Sequence, residues 1–391
     1  VSPKKSDVIV IGVGAMGSAA CYYLAKSGAK VQGIEQFKIG HDHGSSHGES
    51  RLIRKAYFEH PDYVPLLHRS YELWEDLEIA FFEHIDKRKS KIKKLLHKNG
   101  LVIYGNPSES VIYQGVLRSA KLYDLQIETF TYEEALKRFP YYHPPENFSA
   151  VFEEQAGFLE VENCVKAFAS EAKRAGASIA ENESVKSWRR VGDGYEVETK
   201  NETYYADKLI VTAGAWSGSV LSELKLPLKV HRTALVWYPC PDELSVRKGL
   251  PCFGVDVEKR FFYGVPKISG FGLKVGEHTP GQILNDPSEN SDEPASEDIE
   301  RTTAFVQKFT GDKVGEHGKH VKCMYTMTPD EHFIVDSHPD PKMEDFFFAA
   351  GFSGHGFKFS PVIGKALTDL ALTGETSKDV DFLKLARFAK K

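Results

Sequence analysis

Residues 12–17 read Gly-Val-Gly-Ala-Met-Gly and follow the β-branched run Val8-Ile9-Val10-Ile11. Such a run reads as a buried parallel strand. Ala15–Ser27 is rich in helix formers and ends at Gly28, a C-cap signal. Lys30–Glu35 reads as a second strand. A strand, glycine turn, helix and strand in this order call for a parallel sheet with helices on its faces. Gly12 permits the tight turn, Gly14 lets a pyrophosphate approach the backbone, and Gly17 lets helix pack on strand. The helix start offers free N–H groups and partial positive charge. Glu35, 23 residues after Gly12, can accept hydrogen bonds from a ribose diol, and its charge disfavours the 2′-phosphate of NADP. FAD and NAD both stay open on these residues alone.

Similar signals recur further along. Lys208–Gly214 reads as a buried strand entering a glycine turn, and Phe346–Gly351 as a last strand leading to a helix over about Ser360–Leu372. Tyr63–Phe82, Val111–Tyr123, Tyr132–Phe139 and Cys164–Ala175 have helical patterns, the last with Asn163 as its N-cap. Leu101–Tyr104 reads as a strand. Phe253–Lys274 has the short runs of an antiparallel sheet, and acidic Gly281–Glu300 reads as a surface loop. Lys87–Lys98 reads as a solvated basic helix or loop face. The expected fold is α/β plus α+β: a Rossmann-like nucleotide-binding domain interrupted by an antiparallel-sheet substrate domain. The former takes 1–83, 148–225 and 323–391, the latter 84–147 and 226–322.

With 391 residues, two domains are expected. Fifty basic and 55 acidic residues give a net charge of −5, which argues against a nucleic-acid binder. No apolar run approaches the ~18–20 residues of a membrane span. Five cysteines without a CxxC suggest neither a disulfide framework nor a metal site. Val1–Asp7 is polar rather than a signal peptide, and Ala389-Lys390-Lys391 is not the Ser-Lys-Leu peroxisomal address.

Three further clusters carry chemistry. The first is Gly44-Ser45-Ser46-His47-Gly48-Glu49-Ser50-Arg51-Leu52-Ile53-Arg54, and the second is Gly272-Leu273-Lys274-Val275-Gly276-Glu277-His278. The third joins Cys323-Met324-Tyr325-Thr326 to Gly351-Phe352-Ser353-Gly354-His355-Gly356-Phe357-Lys358. At these residues the chain resembles the monomeric sarcosine oxidase family, which includes N-methyltryptophan oxidase and the peroxisomal sarcosine/pipecolate oxidases. The resemblance runs from about Asp7 to the C-terminal helix.

The resemblance implies FAD bound covalently through the Cys323 sulfur. It implies backbone donors to the flavin from Gly354, Gly356 and Lys358, with Gly44, Ser45 and Arg51 on the other side of the ring. Val185 matches a strand at the adenine end. Arg54 and Lys358 match the pair of cations that hold the substrate carboxylate. Tyr263, Tyr325 and His278 match the lining around the amine, with His47 also assigned to the substrate. Lys274 matches the lysine beside the ring that would stabilise charge developing on oxygen. Val265 stands where the family has an aromatic, and Ser46 replaces a second histidine of the bacterial sarcosine oxidases; the peroxisomal members also carry Ser.

The expected activity is therefore oxidation of a secondary amino acid, sarcosine foremost, by O2. The imine product hydrolyses to an amino acid and an aldehyde, and H2O2 is released. The expected protein is a monomer with no nucleic-acid or membrane partner, in a bacterial cytoplasm, or in a peroxisome if eukaryotic. Pipecolate, proline, N-methyltryptophan or a sugar-amine adduct are alternative substrates. An NAD-dependent dehydrogenase and a non-catalytic flavoprotein using Lys87–Lys98 as its surface are the alternatives of other classes.

Overall fold

The computed structural model describes residues 5–85, 90, 92–279, 281–289 and 296–389. The first unit forms as its pattern requires: β1 (Lys5–Ile11), α1 (Ala15–Lys26) and β2 (Val31–Ile34). β1 pairs in parallel with β2 on one side and with the strand Thr203–Val211 on the other. Ser178–Ala180 extends the parallel array beyond β2, and Phe346–Ala350 extends it beyond Thr203–Val211. Their central stretches, Val8–Ile11, Leu209–Val211 and Phe346–Ala350, are buried and apolar on both faces because helices or loops cover both. Ile9 and Val10 are fully buried; each such side chain contributes about 1.5–3 kcal/mol. An antiparallel hairpin, Val185–Val191 with Gly194–Thr199, completes one edge.

α1 packs against the helices Val161–Arg174 and Ser360–Thr373. The approach to the second is close, since a Cβ on Gly364 would lie 2.5 Å from Ala19 Cβ. Helix Tyr63–Glu83 buries Leu66, Leu67, Leu73, Trp74 and Leu77 on the same side of the sheet.

A second sheet forms the other half of the molecule. Its strands run in the spatial order Lys319–Met327, Lys229–Tyr238, Leu273–Glu277, Arg260–Val265, Cys252–Val257, Leu101–Gly105, Ser149–Glu153 and Glu128–Phe130, with the short Ile283–Leu284 also paired to Lys229–Tyr238. All neighbours are antiparallel except Cys252–Val257 with Leu101–Gly105. A three-stranded sheet, Ser50–Ile53, Gly157–Glu160 and Leu96–His97, packs Ile53, Leu96 and Leu159 into the core around α1 and Leu52 and Phe158 against Leu101 and Val151 of the second sheet. Ser149–Glu153 pairs with Leu101–Gly105, so the second sheet draws on residues either side of position 148.

Three local expectations are corrected. Helix Val161–Arg174 begins earlier than expected and its N-cap is Glu160, not Asn163. Strand Gly157–Glu160 runs straight into the helix, and Asn163 instead donates to Glu160 Oε2 at 2.6 Å. Within Gly281–Glu300, Ile283–Leu284 is a strand and helix Ser296–Phe309 starts with Glu297 and Asp298 in its first turn. Acidic residues suit a helix start, which explains why an acidic run need not be a loop. Residues 290–295 lie outside the described residues. So do 86–89 and 91; in the rest of Lys87–Lys98, Leu95 and Leu96 are buried, and Leu96–His97 pairs with Gly157–Glu160.

Candidate active site

One cleft runs from the carboxyl ends of the parallel strands to the face of the second sheet. Its walls include Gly12, Gly14 and Glu35 at one end and Arg54, Tyr263, His278, Tyr325 and Lys358 at the other. Ligands of open α/β sheets bind at this kind of position.

The dinucleotide end is built by the glycine turn. Gly12 has φ +85°, and a Cβ there would lie 2.6 Å from Thr212 O. A Cβ on Gly17 would lie 1.8 Å from Gly12 O, whereas nothing stands within 4 Å of one on Gly14. Gly14 thus leaves an open cradle over a helix start that, among the described residues, no side chain caps. Glu35 is 4% exposed, and its carboxylate accepts from Val13 N at 2.8 Å and Phe37 N at 3.1 Å. Those bonds aim it into the cleft. Val185 lines the cleft beyond it, as do Glu183, Thr212 and Trp216.

The middle of the cleft belongs to the loop Gly44–Arg51 and the strand Lys319–Met327. Glu162 ties the loop down by accepting from Gly48 N at 2.6 Å and Glu49 N at 3.2 Å. Ser45 Oγ donates to Met324 O at 2.7 Å. Arg51 donates to Ser45 O at 3.1 Å and lies 3.3 Å from Cys323 Sγ. Burial opposes ionisation of the Cys323 thiol, but Arg51 and then His47 outweigh it and bring its pKa down to about 6. Cys323 is itself buried behind Ser45 and Arg51. The lowering distinguishes it from Cys21, whose thiol burial pushes up to about 12.

The far end is a cationic, aromatic box. Arg54 stacks between Tyr57 and Phe58, with ring centres 4.7 and 4.3 Å away. Its Nη2 meets both oxygens of Glu59 at 2.8 Å, and its buried Nε has no partner among the described residues. Lys358 Nζ donates to His355 O at 2.7 Å and to Tyr57 Oη at 3.3 Å. Burial, reinforced by Arg54, pushes the Lys358 pKa well down. His278 Nδ1 lies 3.3 Å from Tyr325 Oη. Burial lowers the His278 pKa to about 4, against the pull of Glu59. Burial raises the pKa of both Tyr263 and Tyr325, so both phenols keep their protons. Gly354 and Gly356 line the cleft beside this box.

Most of the expected residues thus share one cleft, whereas Gly17, Cys323, His47 and Lys274 stand behind its lining. His47 is 2% exposed and serves Cys323. Lys274 is 2% exposed, and its Nζ donates to Gly48 O at 2.6 Å and Ser50 O at 2.5 Å beneath the Arg51 loop. Val265 packs with Leu101 and Cys252 and leaves the wall to Phe261. Glu59, Tyr57 and Glu183 had no motif to announce them, and the histidine of Gly354-His355-Gly356 had no assigned role.

The residues present fit FAD. The glycine cradle, the aimed Glu35 carboxylate and the length of cleft accommodate a dinucleotide, with a reactive thiol close to the middle wall. Residues 7–370 match the family model described as FAD dependent oxidoreductase. The chain is 39% identical to monomeric sarcosine oxidase of Bacillus sp. (strain B-0618) over 389 residues, covering 98% of this chain and 97% of that one. It is 33% identical to N-methyl-L-tryptophan oxidase of Escherichia coli O139:H28, covering 98% and 100%. Among solved structures, the amino acid oxidase NikD superposes with a TM-score of 0.83 at 21% identity, covering 97% of each chain. Glycine oxidase from Geobacillus kaustophilus superposes with a TM-score of 0.80 at 21% identity, covering 99% of this chain and all of that one. The fold is thus that of the amino acid oxidases. The NAD-dependent and non-catalytic alternatives give way to an FAD enzyme acting on CH–NH bonds, and the chain belongs to the FAD-dependent oxidoreductase family, as a homologue of the monomeric sarcosine oxidases.

Proposed function

We propose that the chain oxidises a small secondary amino acid, sarcosine foremost, with FAD linked through Cys323 and O2 as acceptor. Products are an imine, hydrolysed to amino acid and aldehyde, and H2O2. The observation that carries this reading is the pair Arg54 and Lys358: two buried cations 4% exposed on one aromatic-walled cleft, with an unpartnered Arg54 Nε. Two buried cations share the carboxylate of Glu59, so the set calls for a second anion, and a carboxylate answers both the planar fork and the point charge. The unit built on β1 would hold the cofactor and the second sheet would roof the substrate. The relatives also suggest a monomer working in a bacterial cytoplasm.

Bound FAD supplies the acceptor for the hydride leaving the carbon next to nitrogen. The chain's residues prepare that step. The amine must arrive neutral, because a protonated nitrogen has no lone pair to support the departing hydride. His278, at about 4, is too weak a base to strip an ammonium whose ordinary pKa is about 10. Arg54, Lys358 and Arg51 do the work electrostatically instead, since neighbouring cations disfavour a further positive charge. Tyr263 and Tyr325, kept protonated by burial, donate to the amine lone pair or to each other and so orient it.

Anaerobic titration of the bound flavin with sarcosine, N-methyltryptophan, pipecolate and proline tests the reading. Sarcosine should bleach the flavin at the lowest concentration. Bleaching by none of the four would overturn it. Preference for pipecolate or proline would move the assignment to a cyclic amine.

A further inference from the structure

The geometry points to His355 as a positioning residue for the substrate carboxylate: through the Tyr57 hydroxyl it fixes the direction of the Lys358 side chain. The inference rests on Lys358 being part of the carboxylate clamp.

His355 is 6% exposed and packs on Phe333, Tyr57 and Tyr63. Burial keeps its ring neutral, bringing the pKa to about 3 against the pull of Glu59. A neutral imidazole has one donor and one acceptor nitrogen. Nε2 lies 3.0 Å from Glu331 O. A carbonyl oxygen only accepts, so Nε2 carries the proton and Nδ1 must accept. Nδ1 lies 2.6 Å from Tyr57 Oη. Burial lifts the Tyr57 pKa well above its usual value, so its single hydroxyl proton is present and is directed at Nδ1.

Tyr57 can then meet Lys358 only as an acceptor, and Lys358 Nζ stands 3.3 Å away. The same His355 supplies the second acceptor, its own carbonyl, at 2.7 Å. Two of the three ammonium directions are therefore set by one residue, which leaves the third for a ligand. Glu59 is the competing acceptor for Tyr57, but Arg54 holds both its oxygens at 2.8 Å. Removing the His355 acceptor frees the hydroxyl to turn toward Glu59 and to present its proton side to Lys358.

The outer anchor of this chain is also built. Glu331 has φ +61° in the turn that follows strand Lys319–Met327. Thr328 Oγ1 donates to His332 O at 2.7 Å, and Asp330 pairs with Arg387 of the C-terminal segment at 2.8 Å. Packing alone would be served by phenylalanine, as at the neighbouring Phe333, Phe352 and Phe359; here both ring nitrogens find matched partners.

Methoxyacetate and its uncharged analogue methoxyacetamide are the probes, read by the change in absorption of the bound flavin. His355→Leu should weaken methoxyacetate roughly tenfold, the size of one hydrogen bond to a charged group, and leave methoxyacetamide unchanged. His355→Asn, which keeps an acceptor toward Tyr57, should recover most of the loss. In a Tyr57→Phe background, His355→Leu should add nothing. Nitrogen NMR of labelled histidines in the unmodified enzyme should find His355 protonated on Nε2, a readout independent of any variant folding. Protonation on Nδ1, equal losses for both probes, or an undiminished loss in the Tyr57→Phe background would overturn the inference. Lys358→Met separates the two layers. Unchanged methoxyacetate binding there overturns the clamp itself, whereas weakened binding there with none in His355→Leu overturns the role of His355 alone.

Discussion

Arg54 and Glu59 hold each other in the far end of the cleft, with Nη2 2.8 Å from both carboxylate oxygens and side chains only 5% and 12% exposed. Glu59 therefore occupies the group that a substrate carboxylate is proposed to use. An arriving carboxylate either displaces it or binds the free Nε side of the guanidinium. Displacement makes the strength of this pair a regulator of affinity, whereas binding at Nε leaves the pair in place.

Glu59→Gln should make the free enzyme less stable, because a buried cation loses its counter-charge. Breaking such a pair costs about 3–5 kcal/mol where no replacement bond forms. A carboxylate ligand should then raise the Tm more in the variant than in the unmodified enzyme. Equal rises would show that ligand and Glu59 do not compete. The pair also sets an acid limit. Burial opposes Glu59 ionisation, yet Arg54 dominates and pulls the pKa to about 2. A lowered folded-state pKa gives stability that is complete above the unfolded value, about 4.3 for Glu, and is lost as pH falls toward about 2. The Tm of the unmodified enzyme should fall between pH 5 and pH 3 by more than that of Glu59→Gln.

Cys323 should link to the flavin without assistance. Acid precipitation should leave the yellow colour in the protein, and Cys323→Ser should release it. Because Arg51 and His47 bring the thiol to about 6, attachment to apoprotein supplied with FAD should slow as pH falls through that value. Arg51→Gln should move this midpoint upward, since the largest favourable influence on the thiolate is gone. An unshifted midpoint would assign the activation elsewhere.

Gly354 separates space from backbone strain. It has φ +79°, and a Cβ there would lie 2.5 Å from the Tyr325 ring. Gly374 has nearly the same φ, +77°, with nothing within 4 Å. Gly354→Ala should cost about 1–3 kcal/mol in overpacking beyond the strain, and it should push Tyr325 off His278, weakening ligands of the cleft. Gly374→Ala should show the strain alone, as a smaller fall in Tm with ligand affinity kept. Matching effects on affinity would mean that Tyr325 is not held by Gly354.

The parts of this molecule that were legible from sequence are those whose signal is local. The run Val8–Ile11 with its glycines, the stripe of Tyr63–Glu83 and the apolar Phe346–Ala350 each carry their own periodicity. What stayed hidden depends on distant partners. Lys274 was legible only through the resemblance, which implies a lysine beside the ring and is silent on its partners. Yet its Nζ is turned to the carbonyls of Gly48 and Ser50, and Gly272 serves a turn against Tyr238 O. Glu59 is five residues from Arg54 but belongs to no motif, and the tautomer of His355 depends on a carbonyl 24 residues away. Asn163 looked like a cap because the sequence does not tell that a strand enters the helix directly at Glu160.

The position of Lys274 sharpens the test of its proposed role in oxygen reduction. Its Nζ lies under the Arg51 loop, 5.5 Å from the Trp237 ring centre, where its protonated form would lend positive charge to the middle of the cleft. Lys274→Met removes the charge and keeps the apolar stem. Gly48 O still accepts from Ser50 N at 2.7 Å, and Ser50 O from Arg51 at 3.0 Å, so neither carbonyl is left without a donor. Loss of one preorganised charge costs about 2.7–4 kcal/mol, or ~10²–10³ in rate, and that loss should fall on reoxidation of the bound flavin by O2. Anaerobic reduction by substrate should suffer much less. Stopped-flow measurement of each half-reaction alone gives both numbers. Burial first, and Arg51 second, press the Lys274 pKa well below the usual lysine value. Only the protonated form stabilises charge growing on oxygen, so the reoxidation rate should decline with rising pH, starting below the pH at which an ordinary lysine titrates. Lys274→Met should erase that decline. A variant slowed equally in both half-reactions would transfer the oxygen role to Arg51, and one that keeps the pH dependence would assign that dependence to a titrating group other than Lys274, since a guanidinium stays charged throughout.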